Sequence, residues 1–111
     1  MKDVISYGDF ERLEVRVGKV VEVEVPEWSR KLVRMRVDLG KEVGERIIFS
    51  GIKEWYGEGD LLEKKFMFLV NMEAKKMGEE KSEGMMLMAD TEKKPELIEV
   101  KGEVKVGTVI R

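Results

Sequence analysis

Within residues 31–40, apolar and charged side chains alternate without a break from Val33 to Leu39, and this is the strongest constraint that the sequence places on its fold. Successive side chains of a β-strand point to opposite faces, so the apolar positions share one face and the arginines share the other. The apolar face holds Val33, Met35 and Val37, and the basic face holds Arg34 and Arg36. Such a strand packs one face against a core and leaves the other in solvent, which is typical of antiparallel sheets.

A second alternating stretch, residues 13–25, predicts a long strand that bends in its middle. Its core-facing positions are predicted to be Leu13, Val15, Val17, Val21, Val23 and Val25. Gly18 and Lys19 interrupt the alternation, and an isolated glycine inside a strand pattern usually marks a bulge or a sharp bend. A small closed barrel requires a bend of this kind.

The rest of the chain supplies further short strands and one helical turn. Strands are predicted at residues 32–39, 46–49, 66–70, 85–89 and 106–110, with turns at Gly44 and Gly102. Residues 52–56 have the length of one helical turn, which Gly57 and Gly59 would end. Residues 73–83 are predicted to form a mixed-charge loop centred on Gly78.

These elements predict an all-β fold, a five-stranded Greek-key barrel of the OB-fold type with a short helix between strands three and four. The chain of 111 residues has room for one domain with a real core. We expect a single domain over residues 1–111, with the barrel at about residues 10–89 and a C-terminal extension at about residues 90–111.

The residue types that are missing narrow the possible functions. Cysteine and histidine are both absent, which excludes disulfides, thiolate metal sites and imidazole catalysis. No spacing resembles a catalytic carboxylate pair, a calcium loop or a glycine-rich phosphate loop. The sequence therefore predicts a protein that is not an enzyme and holds neither a metal nor a cofactor.

Composition also bears on where the protein works. Lysine and glutamate are in excess, glutamine is absent and Asn71 is the only asparagine, a composition that resembles proteins of hyperthermophiles. The N-terminus lacks the apolar core of a signal peptide, and no apolar run approaches the roughly 20 residues needed to cross a membrane. We therefore expect a cytoplasmic protein without a membrane partner.

The basic face within residues 28–37 is not needed by a packed core. This stretch carries no acidic residue and four cations, Arg30, Lys31, Arg34 and Arg36. The formal net charge is −2, so nucleic-acid binding would depend on such a local patch. Arginine grips phosphate with two hydrogen bonds, and the adjacent Trp28 is a candidate for stacking on an unpaired base. RNA is the predicted ligand. The alternative for the basic face is that it is simply solvated, and the alternative for Trp28 is that it fills a core or an interface.

Several short motifs follow one another with the order and spacing of a known family. They are residues 13–18 (Leu-Glu-Val-Arg-Val-Gly), residues 31–40, Ser50-Gly51-Ile52, Asn71, residues 82–85 (Ser-Glu-Gly-Met) and Gly107-Thr108. From about residue 10 to residue 111 the chain resembles the tRNA-binding domain family, which occurs at the C-terminus of many methionyl-tRNA synthetases and as a stand-alone protein. Order and spacing together make this resemblance specific.

The resemblance implies an OB-fold that binds tRNA by shape at its bent outer corner, as an accessory and not as a catalyst. It also implies a homodimer whose interface is closed by residues 90–111, acting in trans with an aminoacyl-tRNA synthetase, methionyl-tRNA synthetase in particular. With the residues considered above, the candidate tRNA-binding residues are Trp28, Arg30, Lys31, Arg34, Arg36, Ser50, Asn71, Lys75, Lys76, Lys81, Ser82 and Met85. Ser50 and Asn71 are supporting positions in this scheme.

The chain departs from the family pattern in residues 73–83. Met77 stands where the family commonly has a basic residue, and Glu83 stands where it has glutamine. Four glutamates therefore accompany three lysines in this segment. The strand that carries Arg34 and Arg36 is expected to supply most of the attraction for RNA.

Two other functions stay open. The export-chaperone branch of the same fold binds polypeptides as a dimer, but its members usually lack the Ser-Gly-Ile and Gly-Met motifs found here at residues 50–52 and 84–85. The other alternative is a subunit that docks onto a synthetase through the apolar C-terminal segment without contacting RNA.

Overall fold

A computed structural model describes all 111 residues, and apart from two short helices its regular structure is entirely β. The helices are α1 (Tyr7–Glu11) and α2 (Glu58–Leu61). The strands are β1 (Val15–Glu24), β2 (Val33–Asp38), β3 (Glu45–Ser50), β4 (Lys65–Leu69), β5 (Lys75–Met77), β6 (Glu80–Ser82), β7 (Met85–Met86), β8 (Met88–Asp90), β9 (Pro95–Leu97) and β10 (Val109–Ile110).

The main sheet has the antiparallel order β3-β2-β1-β4-β7, and β1 is the strand that curls it into a barrel. Residues 15–19 of β1 pair with β4, and residues 19–24 pair with β2. The register shifts between Val20 and Glu22, which marks the bend. Opposite edges approach where the Glu83 N–H donates to the Ile47 carbonyl at 2.9 Å. The predicted all-β barrel of the OB type is confirmed.

The interior of the barrel is filled by the faces that the alternation indicated. Val33, Met35 and Val37 are completely buried, which confirms the apolar face of β2. In β1 the prediction was right for Val17, which is fully buried, and for Val23, which lies opposite Met35 and packs against the core, but Val21 is only half-buried, and Leu13 and Val25 are exposed. Val20, which the pattern did not place in the core, is fully buried, and the bulge after it inserts Val21, so the next inward-facing residue is Val23. The other fully buried side chains are Leu39, Ile48, Ile52, Leu61, Phe66 and Phe68.

The short helix between β3 and β4 lies later than predicted. Residues 53–55 form a turn, and α2 begins only after Gly57. The Gly57 N–H donates to the Asp60 carboxylate at 2.9 Å, so this glycine starts the helix instead of ending one. Asp60 also places a negative charge in the first helical turn, where the exposed N–H groups favour it.

Two other elements differ from the prediction. The expected loop at residues 73–83 contains an antiparallel hairpin, in which β5 and β6 pair only with each other. Its two-residue turn has φ of +62° at Gly78, the first central position, as a type II′ turn requires. The predicted strand at residues 85–89 is divided: β7 pairs with β4, and β8 pairs with β9. The hairpin of β5 and β6, residues 75–82, is called the flap below.

The C-terminal residues 90–111 fold back onto their own barrel. β10 adds to the start of β1, with Val15 opposite Ile110. Gly40 and Gly107 both have positive φ and meet so closely that a Cβ on Gly40 would lie 2.9 Å from the Gly107 Cα. The Arg16 guanidinium donates to the Gly107 carbonyl at 3.0 Å. Two of the sequence motifs, residues 13–18 and Gly107-Thr108, therefore have a structural role: they join the C-terminal segment to the barrel.

Candidate nucleic-acid interface

The basic face of β2 lies outside the barrel as predicted, but the neighbouring strand supplies acids to it. In the antiparallel register Glu24 lies opposite Arg34, and Glu22 lies opposite Arg36. Directly opposed residues share a face of the sheet, so these side chains are neighbours. The arginines of β2 have no acidic neighbour along residues 28–37, but they do have acidic neighbours across the sheet.

Arg34 is the most heavily engaged cation of this face. Its Nε and Nη2 donate to the two carboxylate oxygens of Glu80 on the flap, at 2.7 and 2.9 Å. Its Nη1 lies 3.2 Å from Glu22 and 3.5 Å from Glu24, and only 15% of the side chain is exposed. The hydrogen bond to Glu80 raises the pKa of Arg34, and the same bond lowers the pKa of Glu80.

The charges around Arg34 sum to a slight negative excess. Arg36 is more exposed, at 42% of its side chain, and its Nη2 lies 3.3 Å from Glu22. The cluster thus contains two guanidinium groups and three carboxylates, which gives a net charge of −1. β2 is therefore not the open cationic strand that the sequence indicated, because both of its arginines already have anionic partners.

The flap packs over the outer face of β3. Ser82 is buried, and its hydroxyl accepts a hydrogen bond of 2.9 Å from the Phe49 N–H. Phe49 lies opposite Arg34 on this outer face, and the ring of Trp28 packs on it with centroids 6.1 Å apart. A Cβ on Gly78 would lie 3.1 Å from the Trp28 ring, so the turn of the flap rests directly on that ring. Trp28 is nevertheless 59% exposed.

Two lysines of the flap point away from the barrel without any anionic partner. Lys76 and Lys81 lie directly opposite each other in the hairpin. Because Ser82 points inward, strand alternation directs both lysines outward. Like charges in opposed positions are unfavourable for a hairpin. Both side chains are exposed, and neither forms a salt bridge.

The other cations of the candidate set that lack an ion pair are Arg30, Lys31 and Lys75, and all three are exposed. Arg30 and Lys31 belong to the loop that carries Trp28, and Trp28 contacts the flap. The structure thus joins the loop before β2 to the flap. We call the five unpaired cations of this loop and the flap the open cations.

The four remaining candidates differ in what they contact. Ser50 is buried, as is Ser82. The side-chain amide of Asn71 bridges two backbone groups of the N-terminal segment, accepting from the Glu14 N–H at 2.8 Å and donating to the Arg12 carbonyl at 2.6 Å. Met85 is 45% exposed, whereas Met86 is buried in the core. The hydroxyl of Ser82 and the amide of Asn71 are thus committed to holding the fold.

Sequence reasoning missed the acids of this face and one structural arginine. Glu22 and Glu24 follow the parity of the outer face of β1, so pairing the two strands on paper would have placed them beside the arginines. Nothing local indicated Glu80, which reaches Arg34 from 46 residues away. Arg46 donates to the Val70 carbonyl at 2.5 Å and to the Glu83 carbonyl at 3.4 Å, where the barrel closes.

A separate apolar surface lies at the two ends of the chain. Its lining residues include Tyr7 and Phe10 of α1, Leu13, and Val109 and Ile110 of β10. Tyr7 is 68% exposed and Leu13 is 52% exposed. A capping box between Ser6 and Asp9 fixes the start of α1, so this surface is built on an ordered helix. It is called the terminal face below.

Neither a metal site nor a membrane segment is recognisable. No group of three or more His, Cys, Asp or Glu side chains is arranged to hold a metal ion. Neither helix has the length and the apolar character needed to span a membrane.

Comparison with known families and sequences gives one consistent result. The family model described as "Putative tRNA binding domain" matches residues 15–109. Methionine–tRNA ligase of Pyrococcus horikoshii is 38% identical over 109 residues, which is 98% of this chain and 15% of that protein. Methionine–tRNA ligase of Clostridium tetani is 34% identical over 112 residues, or 99% of this chain and 17% of that protein. The chain therefore spans about a sixth of the length of these relatives.

Solved structures of similar size also match. A MetRS-related protein from Pyrococcus horikoshii superposes with a TM-score of 0.92 at 34% identity, covering 99% of this chain and 100% of that one. The chaperone CsaA from Bacillus anthracis superposes with a TM-score of 0.86 at 26% identity, covering 98% of this chain and 100% of that one. The fold is thus shared by proteins with two different descriptions.

Proposed function

Because this chain belongs to the tRNA-binding domain family, we propose that it is a non-catalytic module that binds tRNA through the open cations of the flap and the loop before β2. The observation that carries the proposal is the opposed pair Lys76 and Lys81, two exposed like charges without an anionic partner. A hairpin gains no stability from such a pair, whereas a polyanion passing over the flap would be attracted by it.

The recognition we propose is electrostatic and shape-dependent. Lysines and arginines that neutralise phosphates release condensed counterions, which makes the affinity strongly dependent on salt. Duplex parts of an RNA are recognised by shape and phosphate contacts, and unpaired bases by stacking on aromatic side chains. Trp28, exposed beside the open cations, is the aromatic that we assign to stacking. Such a mode fits a domain that binds tRNA without reading its sequence.

We further propose that the module serves a methionyl-tRNA synthetase in trans. Similarity supports the link to this synthetase: relatives named methionine–tRNA ligase contain a segment like this chain as a small part of their length, and a MetRS-related protein superposes with it over its whole length. An accessory that holds tRNA would raise the local tRNA concentration at a synthetase that lacks the domain. A role with tRNA also implies a cytoplasmic location.

A salt titration tests tRNA binding. Between 50 and 200 mM KCl, we expect the Kd of an unmodified tRNA transcript to rise roughly 250-fold, because about five phosphate contacts give a slope near −4. The Kd is measured by filter binding, with a DNA duplex of equal charge as the competitor. Equal affinity for the duplex, or a Kd that does not change with salt, would contradict the proposal.

We propose that the terminal face is the homodimer interface. A twofold axis would bring the apolar residues of α1 and β10 of one protomer onto the same residues of its partner, as an isologous interface requires. The family resemblance implies that residues 90–111 close this interface. The terminal face combines Val109 and Ile110 of that segment with Tyr7, Phe10 and Leu13 of the N-terminal segment.

Replacing Tyr7 by glutamate is expected to convert the dimer into monomers, because a charge would be buried in an apolar interface. Tyr7 is mostly exposed in the single chain, so the protomer should keep its fold. Sedimentation velocity measures the mass, and Trp55→Glu is the matched control because Trp55 is an exposed aromatic outside the terminal face. A monomeric wild type, or a dimer that survives Tyr7→Glu, would rule out this interface.

The second candidate function is polypeptide binding, and the observation that favours it is the similarity to the chaperone CsaA. An apolar surface such as the terminal face would then receive an unfolded segment. Docking onto a synthetase without RNA contact is the third possibility. Purifying bound partners with and without ribonuclease distinguishes tRNA binding from these two alternatives, since only association through tRNA is lost on digestion.

A further inference from the structure

We propose that Glu80 occupies the phosphate site of Arg34 in the free protein, and that bound tRNA exchanges this carboxylate for one of its phosphates. This inference rests on the proposed function and adds an autoinhibitory contact to it. Arg34 then contributes to binding only after the flap releases it.

The geometry of the pair is that of an occupied anion site. Glu80 receives hydrogen bonds from Nε and Nη2 of Arg34, at 2.7 and 2.9 Å. Two parallel donors on one edge of a guanidinium are also the arrangement that binds a phosphate group. The remaining nitrogen, Nη1, donates to Glu22 at 3.2 Å and lies 3.5 Å from the Glu24 carboxylate. A phosphate therefore has no donor edge of Arg34 left while Glu80 stays in place.

Among the three carboxylates, Glu80 is the one that can leave. Glu22 and Glu24 are fixed on β1, directly across the sheet from the arginines. Glu80 belongs to the flap, whose strands pair only with each other and not with the barrel sheet. The flap is held at its base by the Ser82 hydroxyl and rests by its turn on Trp28. Such a small, mostly exposed unit opens at a lower free energy than the barrel strands.

The charge balance changes in the direction that favours RNA. With Glu80 in place the cluster holds two cations and three anions, and without Glu80 it holds two of each. Release of the flap thus removes a net repulsion for phosphate and frees the bidentate edge of Arg34. Phosphate binding then restores to Arg34 the two hydrogen bonds that it loses.

The test compares Glu80→Gln with Glu79→Gln. Both substitutions remove one negative charge from the flap at nearly constant shape, but only Glu80 is paired with Arg34. We expect tRNA affinity to rise about five- to tenfold for Glu80→Gln and about twofold or less for Glu79→Gln, since partly exposed ion pairs are modest in strength. Filter binding at 100 mM KCl measures both, and thermal denaturation verifies that both variants fold.

A third variant shows whether the gain acts through Arg34. In an Arg34→Met background, Glu80→Gln should give no larger gain than Glu79→Gln. Equal gains in the wild-type background, or weaker binding by Glu80→Gln, would overturn the autoinhibitory contact while leaving tRNA binding established. If the wild type itself binds tRNA no better than duplex DNA, the proposed function has failed, and this inference fails with it.

Discussion

Replacing Lys76 and Lys81 together by alanine is expected to weaken tRNA binding about ten- to fortyfold at 0.1 M salt and to reduce the salt slope by roughly 1.5 to 2. Each lysine that neutralises a phosphate releases close to one counterion, and both lysines are exposed and free of ion pairs. The Kd is measured against salt by filter binding. Because no contact of the fold depends on either ammonium group, the melting temperature should hardly change.

The control for this double variant removes the same charge elsewhere. Lys93 and Lys101 are exposed and lie in the C-terminal extension, outside the flap. Replacing both by alanine changes the net charge equally, so a long-range field effect would weaken binding to the same extent in both double variants. A similar loss in the two, or no loss with Lys76→Ala and Lys81→Ala, would mean that the flap does not contact the RNA.

The same experiment on Arg34 and Arg36 would be harder to interpret. Sequence alone makes these arginines the natural choice, because they stand in a stretch without acids. In the folded chain, however, removing them leaves the carboxylates of Glu22, Glu24 and Glu80 without partners and detaches the flap from β2. Any loss of affinity would then combine lost contacts with changed structure. The unpaired lysines avoid this difficulty.

Replacing Gly18 by alanine is expected to destabilise the fold by about 2 kcal/mol. A Cβ at this position would lie 2.6 Å from Val37 Cγ1, 2.7 Å from Leu39 Cδ2 and 2.8 Å from Phe68 Cδ2. All three neighbours are fully buried, so relieving the overlap requires the core to shift. Alanine would lower the entropy of the unfolded chain, but this gain of about 0.4–1 kcal/mol is smaller than the cost of overpacking.

The matched control for Gly18 is Gly59→Ala. Gly59 lies in α2 with nothing within 4 Å of the position its Cβ would take, so the substitution should be neutral or slightly stabilising. Chemical denaturation gives the free energy of unfolding of both variants. A loss below about 0.5 kcal/mol for Gly18→Ala would mean that the three core side chains move aside easily.

The sequence predicted the fold well where the signal was local. Alternation identified the buried face of β2 at Val33, Met35 and Val37, and an isolated glycine indicated a bent first strand. The prediction failed where a single residue changes the phase of the pattern. The bulge after Val20 makes both Val20 and Val23 face inward although they are three residues apart, and a hydrogen bond from Gly57 to Asp60 turned an expected helix stop into a helix start.

The candidate site was predicted less completely. The family resemblance named Lys75 and Lys76 of the flap, and the structure brings the flap into contact with the loop of Trp28 at Gly78. The same resemblance named Ser82 and Asn71, whose polar groups bind the backbone of the protein itself. A residue can belong to a sequence motif because it stabilises the fold or because it binds a ligand. A motif alone therefore does not distinguish the two roles.

By itself, the sequence determined the two faces of each strand and the positions of the cations, because side-chain direction follows from the local backbone period. Only the tertiary structure decided which cations are free. An ion pair depends on distance in space, and the partner of Arg34 that matters most, Glu80, lies 46 residues away along the chain. Folding therefore turned the expected centre of the binding face into a closed charge cluster and left the unpaired lysines of the flap as the residues best placed to meet RNA.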